Sequence, residues 1–524
     1  MRTLQIRPLR RVDTRTRLLT AAVVGCYAAL PAFAQLPSGM SVQSGSATAT
    51  QSGNVLTVAN SNGAILHWDS FSIGKGYTTY FQQASASSSV LNRVVGASPS
   101  QIYGTLSSNG RVWLINPNGI LIGPGGMVNT AGFVASTLDV SNANFLAGKL
   151  TFDKTAGAAG VVNQGTVTTP SGGSVYLVGA SVSNEGIITT PQGEAILAAG
   201  ETVDLIDTGT PGVKVTITGA AGNATNLGTV LADAGRIGMA GVMVRNSGTL
   251  NASSVVKEGG RIFLKASQDT YVDGAGRIVA TGTKGGRVEV LGNRVALTDQ
   301  ATIDVSGQGG GGTVLVGGDF QGKNAAIQNA QMAYFGPQAV IKADATENGS
   351  GGTVVVWSDD TTRAYGTITA RGGVNGGDGG LVETSGKRAL EAWARVSTAA
   401  PKGRTGSFLL DPVDITIDSS TLANYGPGST DYGGTPLFVH DTYPGSTAAI
   451  SWYYLKDSLA NTDVIIQTKT STASPGNGDI TFTGAMSYNQ AHSLTLLAQR
   501  NLNFTTGSIQ NSGAGSISLV AGWD

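Results

Sequence analysis

The sequence predicts an all-β protein, a right-handed parallel β-helix (solenoid) with an N-terminal cap, and three observations carry that prediction. Gly fills 76 of 524 positions, about twice the share in ordinary soluble chains. Charged residues make up only 13%, roughly half the usual proportion. Short β-branched runs recur behind Gly or Asn-x-Gly at nearly regular steps. Helical bundles and coiled coils are excluded, because Gly destabilises helices and Ala, Glu, Lys and Leu do not dominate. Collagen would need Gly at every third residue. Disorder conflicts with a hydrophobic fraction of 40%, which is enough to bury a large core.

Residues 1–34 read as a signal peptide. Arg2, Arg7, Arg10, Arg11, Arg15 and Arg17 form a basic start, 18–30 are apolar, and Ala32-Phe33-Ala34 precedes Gln35 as a small-x-small cleavage site between Ala34 and Gln35. Val23-Val24-Gly25-Cys26 also resembles a lipobox, but the apolar run continues past it to the better site. Removing this segment takes away six of 33 basic residues and one of 33 acidic residues, turning a formally neutral chain into an acidic one. A nucleic-acid partner is therefore not expected. The single cysteine, Cys26, is removed too, so a disulfide framework or Cys-metal site is excluded. No later stretch reaches the ~18 to 20 apolar residues of a spanning helix, so the rest is expected to meet a membrane only in transit.

Residues 35–60, with the alternation Asn54-Val55-Leu56-Thr57-Val58, are expected to cap the solenoid. Asn-x-Gly follows at Asn163, Asn184, Asn226 and Asn246, in steps of 21, 42 and 20, the middle one read as two periods. Gly before a β-branched strand occurs at Gly260, Gly286, Gly312 and Gly352, in steps of 26, 26 and 40. In stacked coils, alternate Val, Ile and Leu point inward, turns needing positive φ select Gly and Asn, and Asn amides bond along the stack. About 20 coils would make a rod on the order of 100 Å long. Low charge fits as well, since like charges directly above one another repel. Coils continue over 271–400. Residues 401–524 form a further β-rich segment, with a loop excursion at 419–450, a short helix at 451–459 and strands near Val464, Ile480 and Leu494. The chain stops in mid-pattern at Leu519-Val520-Ala521-Gly522-Trp523-Asp524, which reads as an incomplete end.

Between Trp68 and Val140 the pattern becomes specific. Trp68-Asp69-Ser70-Phe71-Ser72-Ile73-Gly74, Val90-Leu91-Asn92-Arg93-Val94, Ile102-Tyr103-Gly104-Thr105-Leu106 and Asn109-Gly110-Arg111-Val112-Trp113-Leu114-Ile115-Asn116-Pro117-Asn118-Gly119-Ile120 are the key stretches. They resemble the N-terminal secretion domain of filamentous haemagglutinin-like exoproteins of two-partner secretion, over residues 35–270. Val356-Trp357-Ser358-Asp359 and Leu409-Leu410-Asp411-Pro412 are similar to segments of high-molecular-weight adhesins. The resemblance implies Sec export, recognition by an outer-membrane barrel transporter with periplasmic POTRA domains, and folding at the cell surface of a Gram-negative bacterium. It places the secretion motif at Asn116, Pro117, Asn118, Gly119 and Ile120, with Asn92 beside it. The family's Asn-Pro-Asn-Leu element is missing. Read physically, Asn116-Pro117-Asn118-Gly119 is a strong β-turn, with Asn at i, Pro at i+1 and Gly at i+3. Shaping the domain and touching the transporter remain even alternatives for it, and a buried capping amide is the first reading of Asn92.

No catalytic or cofactor-binding residues emerge. The carboxylate sets Asp204/Asp207, Asp359/Asp360 and Asp411/Asp414/Asp418 do not make an acid–base pair. His67, His440 and His492 are too few and scattered for a metal, and Asn375-Gly376-Gly377-Asp378-Gly379-Gly380 reads as a coil turn. The four sequons at Asn223, Asn251, Asn348 and Asn503 are ordinary for this composition. Tyr432, Tyr443, Trp452, Tyr453 and Tyr454 are expected to pack over the rod. The leading expectation is a non-enzymatic adhesin with an unidentified host glycan or protein receptor. A haem/haemopexin-binding exoprotein and a glycan-cleaving β-helix enzyme are the alternatives.

Overall fold

The computed structural model describes residues 35–155, 157, 159–207, 213–418, 448–470, 476–506 and 508–523. The expected signal peptide with Ala34, most of the expected loop excursion over 419–450, and His440, Tyr432 and Tyr443 lie outside them. Each coil carries three short strands and the coils stack in parallel, giving three faces. One face runs through Ala64–Trp68, Ser89–Val94, Arg111–Ile115 and Gly132–Ser136. The second runs through Ser100–Ile102, Ile120–Ile122, Gly160–Asn163 and Ser181–Asn184. These two belong to one 30-stranded sheet, joined where Arg236–Asn246 and Arg261–Val272 run round the corner between them. The third face is a sheet of 14 strands among the described residues.

The expected cap is present. Ala47–Ser52 pairs antiparallel with Val55–Asn60, and Ser41–Ser44 pairs antiparallel with Ala64–Trp68, so the chain turns back over the first coil before winding begins. From Val55–Asn60 onward each third-face strand pairs in parallel with the next. The three-residue strands of that face bury only their central residue. Val128, Val167, Ile188, Val230, Leu250 and Ile278 thus stack in one inward column, each contributing about 1.5 to 3 kcal/mol of burial. Columns from all three faces merge into one apolar core that extends from Leu36 to Ala498.

The 42-residue step needs correction. Asn184 and Asn226 are register partners on adjacent coils, one period apart. The surplus residues form the hairpin Thr202–Asp207 and Val213–Thr218, which leaves the coil and joins Leu150–Asp153 in a three-stranded antiparallel sheet. With the helix Asn142–Leu146, that sheet covers outward side chains of the first face, among them Leu91, Trp113, Val134 and Ile196. The 40-residue step from Gly312 to Gly352 is likewise one coil, since Thr313 pairs with Thr353. Here the excursion holding the 3-10 turn Phe320–Gly322 lies over Trp357. Because excursions consume residues, the rod is shorter than expected. The 14-stranded face plus the four first-face rungs from Ser407–Leu410 to Ile517–Ala521 amount to roughly 80 Å.

The glycine excess also has a different cause from the one expected at the Asn-x-Gly corners. Gly165, Gly186, Gly228 and Gly248 are not among the positive-φ glycines. Instead, a Cβ on Gly228 would lie 2.1 Å from the Gly186 carbonyl oxygen of the neighbouring coil. Close approach between coils, not backbone conformation, requires Gly there.

The helix is found at Trp452–Leu459, where it lies against Arg395–Ser397 in place of another third-face strand; the Val396 amide faces the Ser458 hydroxyl at 3.4 Å. Just before it the winding order is inverted. Ala448–Ser451 sits between Ala389–Ala392 and the earlier strand Ile415–Asp418 on the second face.

The Asn-x-Gly amides form a ladder as expected. Asn163 Nδ2 donates to Asn184 Oδ1 at 2.8 Å, Asn184 to Asn226 at 2.7 Å and Asn226 to Asn246 at 2.8 Å, all of them buried. Asn226→Ala would leave a donor above and an acceptor below unpaired, so we expect a loss of about 2 to 3 kcal/mol, read as a lower urea midpoint. A midpoint equal to that of the unsubstituted chain would show that the ladder contributes nothing.

Candidate functional site

The turn Asn116–Gly119 forms the corner between the first-face strand Arg111–Ile115 and the second-face strand Ile120–Ile122. Its backbone closes as the sequence predicts, the Gly119 amide donating to the Asn116 carbonyl at 3.1 Å. Gly119 has φ +117°, a conformation that excludes other residues at low cost. The Asn116 side chain is fully buried and works in both directions. Its Nδ2 donates to the Ser98 carbonyl at 3.0 Å and to Ser100 Oγ at 2.9 Å, while its Oδ1 accepts from the Asn118 amide at 3.0 Å and Asn118 Nδ2 at 3.1 Å.

Neighbouring coils are bolted to the same corner. Asn118 Nδ2 donates to the Gly96 carbonyl at 2.9 Å, the Asn116 amide to the Ser136 carbonyl at 2.9 Å, and the Ala159 amide to the Pro117 carbonyl at 2.9 Å. Ile120 is wholly inside the core. Only Pro117, half-buried, and Asn118, exposed, reach the surface. Asn92 is separate from the turn and fully buried on its own strand. It accepts from Trp68 Nε1 at 2.9 Å and donates to the Trp113 carbonyl at 3.2 Å, tying three consecutive coils together. Gln35 is exposed, and its carbonyl accepts from the Gly74 amide.

Among the carboxylates, Asp359 faces Asn329 and Trp357 while Asp360 pairs with Arg388. Asp414 caps the backbone amides of Asn477 and Asp479. Asp411 is instead brought near a residue that sequence reasoning missed, Glu383, which is fully buried on an outward position of the first face. Gln321 bridges the two, its amide donating to Glu383 Oε2 at 3.0 Å and its Nε2 to Asp411 Oδ2 at 2.9 Å. Burial pushes the Glu383 carboxyl up to about 8, with the Asp411 charge adding to it, and burial raises Asp411 as well. A neutral acid beside a carboxylate is an acid–base pairing in principle, but Gln321 occupies the approach and the arrangement is a clasp holding the excursion down. Nothing in the sequence around Glu383 signals this, because the excursion that buries it lies 62 residues earlier. No group of three or more His, Cys, Asp or Glu side chains converges among the described residues.

Two outcomes follow from this geometry. Asn116→Ala strands several buried partners and should cost about 2 to 4 kcal/mol, whereas Asn118→Ala at the exposed tip should cost less than about 1 kcal/mol; equal losses in urea unfolding would contradict the division. Glu383 titrates higher folded than unfolded, so the folded chain holds the extra proton. Its contribution is complete below the unfolded carboxyl range, declines as pH rises, and is lost above about 8. Glu383→Gln should flatten that part of the stability–pH curve, and an unchanged slope would rule the clasp out as its source.

A family model described as TPS secretion domain matches residues 34–290. The crystal structure of the HMW1 secretion domain from Haemophilus influenzae superposes with a TM-score of 0.63 at 37% identity, covering 70% of this chain and 99% of that one. Two heme/hemopexin-binding proteins of Haemophilus influenzae are 42% identical over 106 residues and 35% identical over 125 residues. Those matches cover 20% and 24% of this chain but only 12% and 13% of the relatives. Members of this family travel through the Gram-negative periplasm to the cell surface or the medium, by way of an outer-membrane partner transporter. With a solenoid of the same fold and an identity of 37% across nearly the whole HMW1 domain, this chain belongs to the TPS secretion domain family.

Proposed function

We propose that the chain is the export-and-scaffold portion of a secreted or surface-displayed adhesin of haemagglutinin type, without enzymatic activity. Residues 1–34 serve as the signal peptide, cut between Ala34 and Gln35. The coils to residue 290 engage the POTRA domains of the partner transporter, and the remaining coils hold a receptor-binding surface away from the cell. The likeness to the HMW1 secretion domain carries this reading. Within it, Pro117 and Asn118 are the residues of the motif that can touch the transporter, Asn116, Gly119 and Ile120 act by shaping the corner, and Asn92 acts by tying three consecutive coils together. The receptor in this reading is a host-cell glycan or protein.

The heme/hemopexin-binding relatives favour a second reading, capture of haem or haemopexin by the same scaffold. Haem-induced absorbance and a haemopexin pull-down with the full chain separate it from adhesion.

Co-expression of the full chain with a TPS transporter tests export. We expect the protein in the medium or on the cell surface only when the transporter is present, and at least fivefold less of it when Pro117 and Asn118 are both replaced by Ala. Normal export of that folded variant would overturn the contact at the turn, and transporter-independent export would overturn the route.

A further inference from the structure

The sequence contains six Asn-Gly pairs, at Asn62, Asn109, Asn118, Asn348, Asn375 and Asn477. In such a pair the glycine nitrogen can attack the asparagine side-chain amide, because no Cβ stands in its way. Reaction needs both groups to be free, the asparagine amide to turn and the glycine N–H to lose its proton.

The fold holds four of the pairs. Asn62 Oδ1 accepts from the Ser89 amide at 3.0 Å, while the Gly63 amide donates to the Ser89 carbonyl at 2.9 Å. Both ends of the Asn109 amide bond the Gln83 backbone at 2.8 Å, and the Gly110 amide donates to Ser108 Oγ at 2.9 Å. Asn118 is fixed on Gly96 and Asn116, with the Gly119 amide turned to the Asn116 carbonyl. At Asn375 the nucleophile is engaged, the Gly376 amide donating to the Gly373 carbonyl at 3.2 Å. A fifth pair is restrained by charge. Gly478 is buried, and the amides on either side of its N–H, those of Asn477 and Asp479, both donate to the Asp414 carboxylate at 2.9 Å. A neighbouring carboxylate disfavours loss of the proton.

Asn348 escapes all of these restraints. Its side chain is exposed, and among the described residues neither that side chain nor the Gly349 N–H has a hydrogen-bond partner. The backbone on both sides is nonetheless anchored. The Asn348 amide donates to the Gln308 carbonyl of the preceding coil at 2.8 Å, and the Gly349 carbonyl accepts from the Gly373 amide of the following coil at 3.0 Å.

We propose that Asn348 is a self-modification site, deamidating in the folded protein with water as the only co-reactant. The Gly349 nitrogen loses its proton and bonds to Asn348 Cγ while the Cγ–Nδ2 bond breaks. The departing nitrogen takes up a proton and leaves as ammonia, and a five-membered succinimide remains. Water then opens the ring. Addition at Cγ breaks its bond to the ring nitrogen and gives aspartate. Addition at the main-chain carbonyl breaks the other bond and gives isoaspartate, in which the main chain runs through the side chain. Either opening returns a proton to the Gly349 nitrogen, so one water is consumed and one ammonia released.

The products act on a corner without slack. A Cβ on Gly349 would lie 2.1 Å from the Gly309 carbonyl oxygen, and one on Gly377 would lie 2.0 Å from the Gly349 carbonyl oxygen. Isoaspartate adds one carbon to the main chain there, and both products place a new negative charge beside Glu347. The aged coil is therefore less firmly stacked than the new one. Residue 348 lies beyond the matched span 34–290, so the site is independent of the export reading.

The test incubates the folded full chain in warm, mildly alkaline buffer and maps the six Asn-Gly peptides by mass spectrometry. Isoaspartate is read by enzymatic methylation of its carboxylate. We expect acid at Asn348 to accumulate at least fivefold faster than at any other pair, with isoaspartate among the products, and that lead to shrink below twofold in urea. The urea midpoint of the aged chain should fall below that of the fresh one, whereas fresh Asn348→Asp, which carries the charge on an unlengthened main chain, should stay nearer the fresh value. Asn348→Gln, whose longer side chain closes the ring far more slowly, should keep its midpoint on ageing. A rate at Asn348 no faster than at Asn118 or Asn375 in the folded chain would overturn the proposal, and an equal loss of midpoint by aged Asn348→Gln would overturn its structural consequence.

Discussion

Parallel stacking in register is the constraint on which the rest of this molecule depends. Each strand residue sits about 4.8 Å from its equivalents in the coils before and after it, so a residue type is acceptable only if it can lie beside its own kind. Aliphatic side chains satisfy this on the inside, where Val128, Val167 and Ile188 bury one another. Asn satisfies it at a corner because an amide is donor and acceptor at once, and Asn163, Asn184, Asn226 and Asn246 pass one hydrogen bond up the stack. Gly satisfies it where the backbones of successive corners come too close for a Cβ, as at Gly186 and Gly228. Charge satisfies it poorly, and composition reflects that.

The Asn116–Gly119 corner solves the same problem without a ladder. The neighbouring first-face strands place Arg93 and Ser136 opposite Ile115, so the residues that follow them, Val94 and Thr137, bring no amide side chain alongside Asn116. Asn116 instead reaches Ser98 and Ser100 on one side and folds Asn118 back on the other. Most of this turn is thus spent inside the protein. Its chemistry fixes a corner, and what reaches the surface is confined to Pro117 and Asn118.

The repeating part of this architecture was legible because register leaves a mark at every coil. Alternation revealed the cap at Val55–Asn60, and Asn-x-Gly spacing revealed the ladder. What happens between registers leaves no such mark. A 42-residue step looked like two coils because a hairpin that leaves the stack has strand-like alternation of its own. Glu383 was invisible for a related reason. An outward position on a strand is ordinarily solvated, and only the remote Phe320–Gly322 excursion buries it. Arg236, Arg261 and Arg287 are far apart in the chain, and their alignment in one column of the first face depends on knowing which coils adjoin.

Winding order bears on how such a chain folds after crossing a membrane. The cap is built from local antiparallel contacts, Ala47–Ser52 on Val55–Asn60, and residues 35–68 contain no Asp, Glu, Lys or Arg, so it closes cheaply and without charge repulsion. Each later coil then needs only the one before it as a template, and closure entropy rises slowly with loop length. The inverted rung is the exception. Ile415–Asp418 precedes Ala448–Ser451 in the chain, but the later strand lies nearer the N-terminal coils, between it and Ala389–Ala392. Strict coil-by-coil growth therefore stops at Ala389–Ala392 on the second face, and Ile415–Asp418 has no completed template until Ala448–Ser451 arrives. The helix Trp452–Leu459 follows at once and seals the third face with Trp452, Leu455 and Leu459. Folding in this region must be concerted over a long segment, whereas the secretion domain before it can add one coil at a time.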